Sequence, residues 1–472
     1  MIKLPSIQDL KPLLLTVITI GFLFSCEQDS NFDPPTQGED PVVEDPDPSD
    51  EEPEIYGIPV FNINTGGREI VDEPKIPATL VINHGDAELF DGHIGIELRG
   101  ASSLHFAKKQ YGIESWDASG QDIDVSLLDY PMEEDFILNG PYADKSLMRN
   151  KLVYDLAREM GQYASRAEFI DTRLNGQQKG VYVLLEKIKR DAGRVDIAKL
   201  KLEDNEGEEL TGGYIIKIDK GIGGGYNYNS SMSWDSEHQP WQDAPGDAIK
   251  FQYVEPKYTE ITYNQREYIQ QYMKDFENAL ASDNFKDPNI GYRAYADVDS
   301  FVDFFILNEL GNNVDGYRLS TYMHKKKNGK LHMGPIWDFN FAFGNADYCS
   351  GGEPNVWAYK FNERCGGDVW SVPFWWERLM QDPYFVNKVK DRWSVLRGGT
   401  LNISNIHDQL DGYYMLLAEE GSITTNFTIW NILNEYLWPN RYVGGTYDNE
   451  FNYLKDWVED RVYWLDTAIN GL

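Results

Sequence analysis

An α+β protein, β-rich first and mostly helical after, is the fold class that three features of this 472-residue chain predict. Short runs with period-two alternation, broken by Gly, Asn and Asp, begin at residue 55. Segments with apolar residues three and four apart dominate after about residue 260. Asn-Gly pairs at 175–176 and 328–329 mark two tight hairpins, one in each region.

The chain opens on Lys3 and Lys11 and the apolar run "PLLLTVITIGFLFS", which is too short to span a bilayer and reads as an export signal over residues 1–25. It ends in "LFSC", which resembles the lipobox of bacterial lipoproteins and makes Cys26 the expected lipid-bearing residue. Residues 26–54 form an acidic tether. Positions 27–54 hold twelve Asp or Glu, six Pro and no Lys or Arg, so they cannot bury enough apolar surface to fold.

Between 55 and 250 a β-rich lobe with one long helix is expected. "IYGIPVFNINT", "ATLVINHGD" and "GHIGIELRG" read as strands, and "ELRGASSLHFAKKQYGIES" reads as strand, Gly-Ser loop, strand. Asp144 is the expected cap of the helix "KSLMRNKLVYDLAREM", which stops at Gly161. The hairpin "FIDTRLNGQQKGVYVLLEKI" and the run "GGYIIKIDK" follow, then an irregular insertion near 221–247. From 251 to 472 a mainly helical lobe is expected. Its helices include "NQREYIQQYMKDFENALA", "ADVDSFVDFFILNEL" and three in the last hundred residues, interrupted by the hairpin "STYMHKKKNGKLHMGPIWDFN". The hairpin tip "HKKKNGK" is read as solvated.

The net charge is −34, of which the tether supplies 12, so the folded part is itself acidic and argues against nucleic acid as a partner. Apart from Cys26 only Cys349 and Cys365 remain, and an exported compartment permits them to pair, closing a loop worth about 3 kcal/mol. No CxxC or HExxH spacing signals zinc.

Chemistry is concentrated in two places. Asp315 lies in a polar loop before a strand, and Asp338 lies beyond the returning strand of the same hairpin, among Trp337 and Phe339. Folding the hairpin brings two carboxylates 23 positions apart toward one cavity, a geometry that suits Mg²⁺. Each alone reads more simply as a turn residue bonding its own backbone, and it is the pair together with the Gly-Ser loop that points to chemistry. The loop "RGASS" (99–103) offers amides and hydroxyls to a phosphate, with Lys108 and Lys109 on the return. Alternation with Tyr111 and Ile113 selects Lys109 as the inward lysine, the alternative being a solvated lysine pair.

The ordered blocks "LRGASS…KKQYGIE", "ILNGPYADKSLMRNKLVYDLAREMG", "RLNGQQKGVYVLLEKI", "NNVDGYRLSTY" and "GPIWDFNFAFGN" resemble the CotH family of spore-coat-type atypical protein kinases over roughly residues 58–345. The resemblance implies a divergent two-lobed protein-kinase-like fold that binds ATP and Mg²⁺ and phosphorylates Ser or Thr hydroxyls of exported or surface proteins. It implies that Asp315 orients the acceptor hydroxyl and that Asp338 binds metal, with Asn340 where ordinary kinases carry the glycine of DFG. Arg99, Ser102 and Ser103 match the phosphate-facing loop, Lys109 or Lys108 the phosphate-pairing lysine, and Glu186 a hinge residue or lysine partner. Five positions past Asp315, where the kinase pattern has a metal-binding Asn, this chain has Ser320.

Two other readings compete. One is a catalytically silent surface-binding module on an acidic stalk. The other is a carbohydrate-binding or carbohydrate-active lipoprotein with Trp234, Trp241, Trp357, Trp370, Trp375 and Trp376 as stacking platforms. "VWSVPFWWERL" reads more simply as core. The expected location is the cell envelope, lipid-anchored through Cys26, the alternative being a plain secretory signal with an incidental cysteine.

Overall fold

The computed structural model describes residues 57–472 except 222–223, 226 and 241–247. The export signal, the tether, Cys26 and Trp241 lie outside the described residues.

Seven strands and one helix come first: β1 (Val60–Asn64), β2 (Ile76–His84), β3 (Ala87–Arg99), β4 (Gln110–Trp116), β5 (Asp135–Asn139), α1 (Arg149–Glu159), β6 (Ala167–Leu174) and β7 (Gln177–Glu186). The strands close into a barrel in the order β1-β2-β3-β4-β5-β7-β6, sealed by parallel pairing of β1 with β6. Closure removes the open edges that a β-rich lobe would otherwise expose. Alternate residues fill the interior: Phe61, Leu80, Ile82, Ile94, Ile96, Ile113, Leu138, Tyr182 and Leu184 are all buried. β5 and the end of β7 are buried on both faces, because Ile137, Val183 and Leu185 point outward into the large core shared with the helices. That is why "DFILN" and "VYVLLE" are continuous rather than alternating. The β6–β7 turn is Asn175-Gly176, both at positive φ, as the sequence predicts.

A second sheet runs β12-β11-β8-β10-β9, all antiparallel, from β8 (Tyr214–Ile218), β9 (Ser233–Asp235), β10 (Lys250–Glu255), β11 (Thr321–Lys325) and β12 (Leu331–Met333). Strands from both sides of residue 250 therefore share one sheet, and the expected boundary there runs through a hydrogen-bonded unit. β9 also lies inside the stretch expected to be irregular.

The helices α2 (Tyr263–Ala281) and α3 (Val298–Gly311) form where expected, α2 burying one stripe and α3 buried all round from Ser300 to Gly311. Thr262 and Gln265 form a capping box on α2, and Asp297 caps α3. After them come α4 (Phe361–Arg364), α5 (Trp375–Leu379), α6 (Pro383–Arg397), α7 (Ile403–Ala418), α8 (Ser422–Ile429) and α9 (Tyr447–Asn470). The last hundred residues thus hold five helices, not three, because α5 and α8 are too short to show a clear period. Trp375 and Trp376 are fully buried beside Phe276, Phe301 and Phe304, as the core reading of that run requires.

Two local expectations shift. Asp144 does not directly precede α1: it sits five residues upstream, where Oδ2 accepts the Arg149 N–H at 2.9 Å and Oδ1 pairs with Arg149 Nη1 at 2.5 Å. The Arg149 guanidinium also donates to the Ala342 and Phe343 carbonyls, tying α1 to the chain beyond Asp338. The tip of the β11–β12 hairpin is not wholly solvated either. Lys325 is buried, with Nζ on the Thr211 carbonyl at 2.5 Å and over the Tyr272 ring.

Candidate active site

A cavity of about 390 Å³ opens where the β3–β4 loop, α1, the end of β8 and both ends of the β11–β12 hairpin meet. Asp315, Ser320, Asp338 and Asn340 line it, and so do Arg99, Ser102 and Ser103. The hairpin does bring the two aspartates to one space.

Asp338 sits at φ +65°, a left-handed conformation that costs a non-glycine residue about 1–3 kcal/mol and persists only when its surroundings impose it. α1 imposes it here. The Asp338 N–H donates to Tyr154 Oη at 3.0 Å, and the Phe339 N–H donates to Asn150 Oδ1 at 2.8 Å. Tyr154 stacks on Trp337 at 5.8 Å, and the Arg99 guanidinium lies 5.8 Å from the same indole. Burial, then the nearby Asp315 and Asp219, push the Asp338 carboxyl up to about 6, against the pull of Lys220 and Arg99.

Asp315 follows α3, whose C-cap Asn312 turns the chain at φ +40°. Its Oδ1 accepts from Arg318 Nη2 at 3.0 Å and from Tyr348 Oη at 3.1 Å. Arg318 is buried, over the Phe361 ring at 3.9 Å, and pairs on its other side with Asp368. Ser320, at φ +47°, donates its N–H to Asp219 Oδ1 at 3.3 Å. Gly100 shapes the loop opposite: at φ +111°, a Cβ there would stand 1.9 Å from Ser103 Oγ.

The lysines differ from expectation. β4 begins at Gln110, so the alternation that orients Tyr111 and Ile113 does not reach back to Lys109. Lys109 Nζ instead donates to the Leu104 carbonyl at 2.6 Å, closing the Gly-Ser loop from behind. Lys108 is the buried one: its Nζ bonds the Val181 carbonyl and Asn426 Oδ1, lies 4.8 Å from the Tyr182 ring, and is lowered to about 7 by burial. Neither lines the cavity. Glu186 is also outside it, paired with Arg166 at 2.5 Å rather than with a lysine.

Among the described residues the cations in the cavity besides Arg99 are Lys217 and Lys220, from the run "YIIKIDK", for which no role is expected from sequence. Lys217 Nζ pairs with Asp219 at 2.7 Å. Burial alone would lower the Lys217 ammonium, but Asp219 and the Tyr322 phenol hold it above its ordinary range. Lys220 Nζ reaches Ser102 Oγ at 3.4 Å. A Lys-x-Asp-Lys step closing an otherwise apolar strand was the available signal.

The donor set fits Mg²⁺. It is all hard oxygen, and Asp338, raised by burial and two neighbouring carboxylates, is a group that a cation would relieve. Among the described residues the oxygens of Asp219, Asp315 and Asp338 do not all lie within 4.8 Å of one another, so one ion cannot be held directly by all three. One or two carboxylates with phosphate oxygens and water completing the shell is the Mg²⁺ pattern such spacing serves.

Comparison with known proteins bears on the family. The model of the family described as CotH kinase protein matches residues 96–465. The inner spore coat protein H of Bacillus subtilis (strain 168) is 31% identical over 137 residues, which is 29% of this chain and 33% of that protein. The chain therefore aligns with a third of the length of that relative. The crystal structure of a Helicobacter pylori proinflammatory kinase, CtkA, superposes with a TM-score of 0.27 and 9% identity, covering 75% of this chain and 95% of that one. The family model spans most of the chain, including the whole candidate site, and the chain belongs to the CotH kinase protein family.

Proposed function

We propose that this protein is an ATP- and Mg²⁺-dependent phosphotransferase that moves the γ-phosphoryl group to Ser or Thr hydroxyls of exported or surface proteins. The observation that carries the reading is the convergence of Asp315 and Asp338 on one cavity with Arg99, Lys217 and Lys220. Family membership supports it.

In this reading the fold is a divergent two-lobed kinase-like one, with the barrel as the first lobe. Asp338 holds Mg²⁺, with Asn340 and Ser320 lining the same space, and the ion supplies charge neutralisation at the phosphates. Arg99, Lys217, Lys220 and the 100–103 backbone bind the triphosphate. Asp315, fixed through Oδ1, offers its other oxygen to the acceptor hydroxyl and orients it for attack. Phosphoryl transfer asks the protein for positioning and charge stabilisation rather than covalent chemistry, and these side chains supply both. Anchoring through Cys26 at the cell envelope belongs to the same proposal.

Purified protein incubated with γ-labelled ATP and Mg²⁺ should transfer label to itself or to a Ser/Thr-containing acceptor, and Asp315→Ala should end transfer. Label transfer that survives Asp315→Ala would overturn the assignment.

A further inference from the structure

Of the two donors that fix Asp315, one lies beside a disulfide-bonded cysteine and the other is held by the segment across that bond. Tyr348 Oη bonds Asp315 Oδ1, and the next residue, Cys349, forms a disulfide with Cys365, with Cα atoms 5.5 Å apart. Arg318 bonds the same oxygen, and is itself held by Asp368 Oδ1 at 3.2 Å and the Trp370 carbonyl at 3.1 Å, just beyond Cys365. The tyrosine side of the link is shaped as well as tethered. Cys349 and Ser350 are both at positive φ, the Ser350 carbonyl accepts from Asn312 Nδ2 at 2.9 Å, and the Tyr348 ring stacks on Trp438. Trp438 in turn meets the edge of Phe341, which lines the cavity.

We propose that Tyr348 is a positioning residue for Asp315 and that the Cys349–Cys365 disulfide makes this positioning depend on oxidation state. The inference rests on the kinase reading above. Reduction by dithiothreitol passes two electrons and two protons to the sulfur pair, leaving two thiols and the cyclic disulfide of the reductant. The 348–350 segment then loses its covalent tie to the 365–370 segment, keeping polar contacts such as Arg364 Nε to the Cys349 carbonyl at 3.4 Å, and Asp315 stays in the cavity lining but loses a fixed orientation.

The test measures transfer from γ-labelled ATP to the chain itself or to dephosphorylated casein, with calorimetric Mg²⁺-ATP binding alongside, on the full chain. Tyr348→Phe is expected to lower kcat about 10–100-fold while leaving KM for ATP within about twofold, as for a misplaced reacting group. Dithiothreitol, or Cys349→Ser with Cys365→Ser, should lower wild-type kcat in the same way and change Tyr348→Phe little further. A kcat in Tyr348→Phe within twofold of wild type overturns the proposal, as does a parallel loss of nucleotide binding, which marks a merely structural role. Active wild-type protein indifferent to both changes defeats this inference alone. Wild-type protein that neither binds nor transfers defeats the kinase reading with it.

Discussion

Asp338 titrates high because the folded chain buries it near two other carboxylates, and the consequence has a definite sign. Its folded value of about 6 exceeds the unfolded one, so its contribution to stability is full below about pH 4 and is lost as pH rises through 6. Metal-free Asp338→Asn should therefore be more stable than wild type at pH 7, by about 1–2 kcal/mol once partial exposure is discounted, and equal to it near pH 4. Urea unfolding in chelator at the two pH values checks this. Mg²⁺ binding needs the ionised carboxylate, so affinity should fall as pH drops below about 6. Lys217 carries a second prediction at this scale: Lys217→Met should cost about 100-fold in kcat/KM for ATP, while Lys109→Met stays within about threefold. The two aspartates were legible because a hairpin with an Asn-Gly turn must join its ends. The lysine was not, because alternation was extended one residue past the start of β4, and Lys217 hid in an apolar strand.

At the scale of elements, α1 acts as the template for the metal-binding turn. Tyr154→Phe removes the acceptor of the Asp338 N–H and should cost about 1–3 kcal/mol of stability, with Mg²⁺-ATP affinity falling alongside. Thermal unfolding and calorimetry on the same variant check both. The helix itself was readable from Leu152, Leu156 and Met160, yet its role was not, because Asn150 and Tyr154 meet residues almost two hundred positions away. The Asp144 cap was seen as a residue and misplaced as a position, since its carboxylate reaches across an irregular turn to Arg149. Periodicity found α2 and α9 because each buries one long stripe, whereas α3 is buried all round from Ser300 to Gly311 and was found by its apolar content. It missed α5 and α8, which are held by neighbours rather than by their own pattern.

Across the whole molecule the least legible features are the non-local pairings. β1 meets β6 more than a hundred residues away, and β8 meets β11 across the 221–247 stretch, and no local signal specifies either. The β8–β11 pairing brings Lys217 and Asp219 to the cavity that Asp338 lines, so the candidate site is a product of the global fold. The buried pair Arg461–Glu309 performs a comparable task in the helical part, joining α9 to α3 at 3.2 Å with Arg461 also bonding the Pro354 and Val356 carbonyls. Arg461→Met leaves the buried Glu309 carboxylate without its counter-charge, though still bonded by Tyr317 and the Ala358 and Tyr359 N–H groups, and should destabilise the protein by about 3 kcal/mol in urea unfolding.

Calorimetric titration of ATP with Mg²⁺ into wild type, Asp315→Ala and Asp338→Ala tests most directly the claim that these carboxylates serve one nucleotide site in different roles. Binding to wild type and to Asp315→Ala, with none to Asp338→Ala, is the predicted result. No heat from wild type at millimolar nucleotide, or an affinity unchanged by Asp338→Ala, would contradict it.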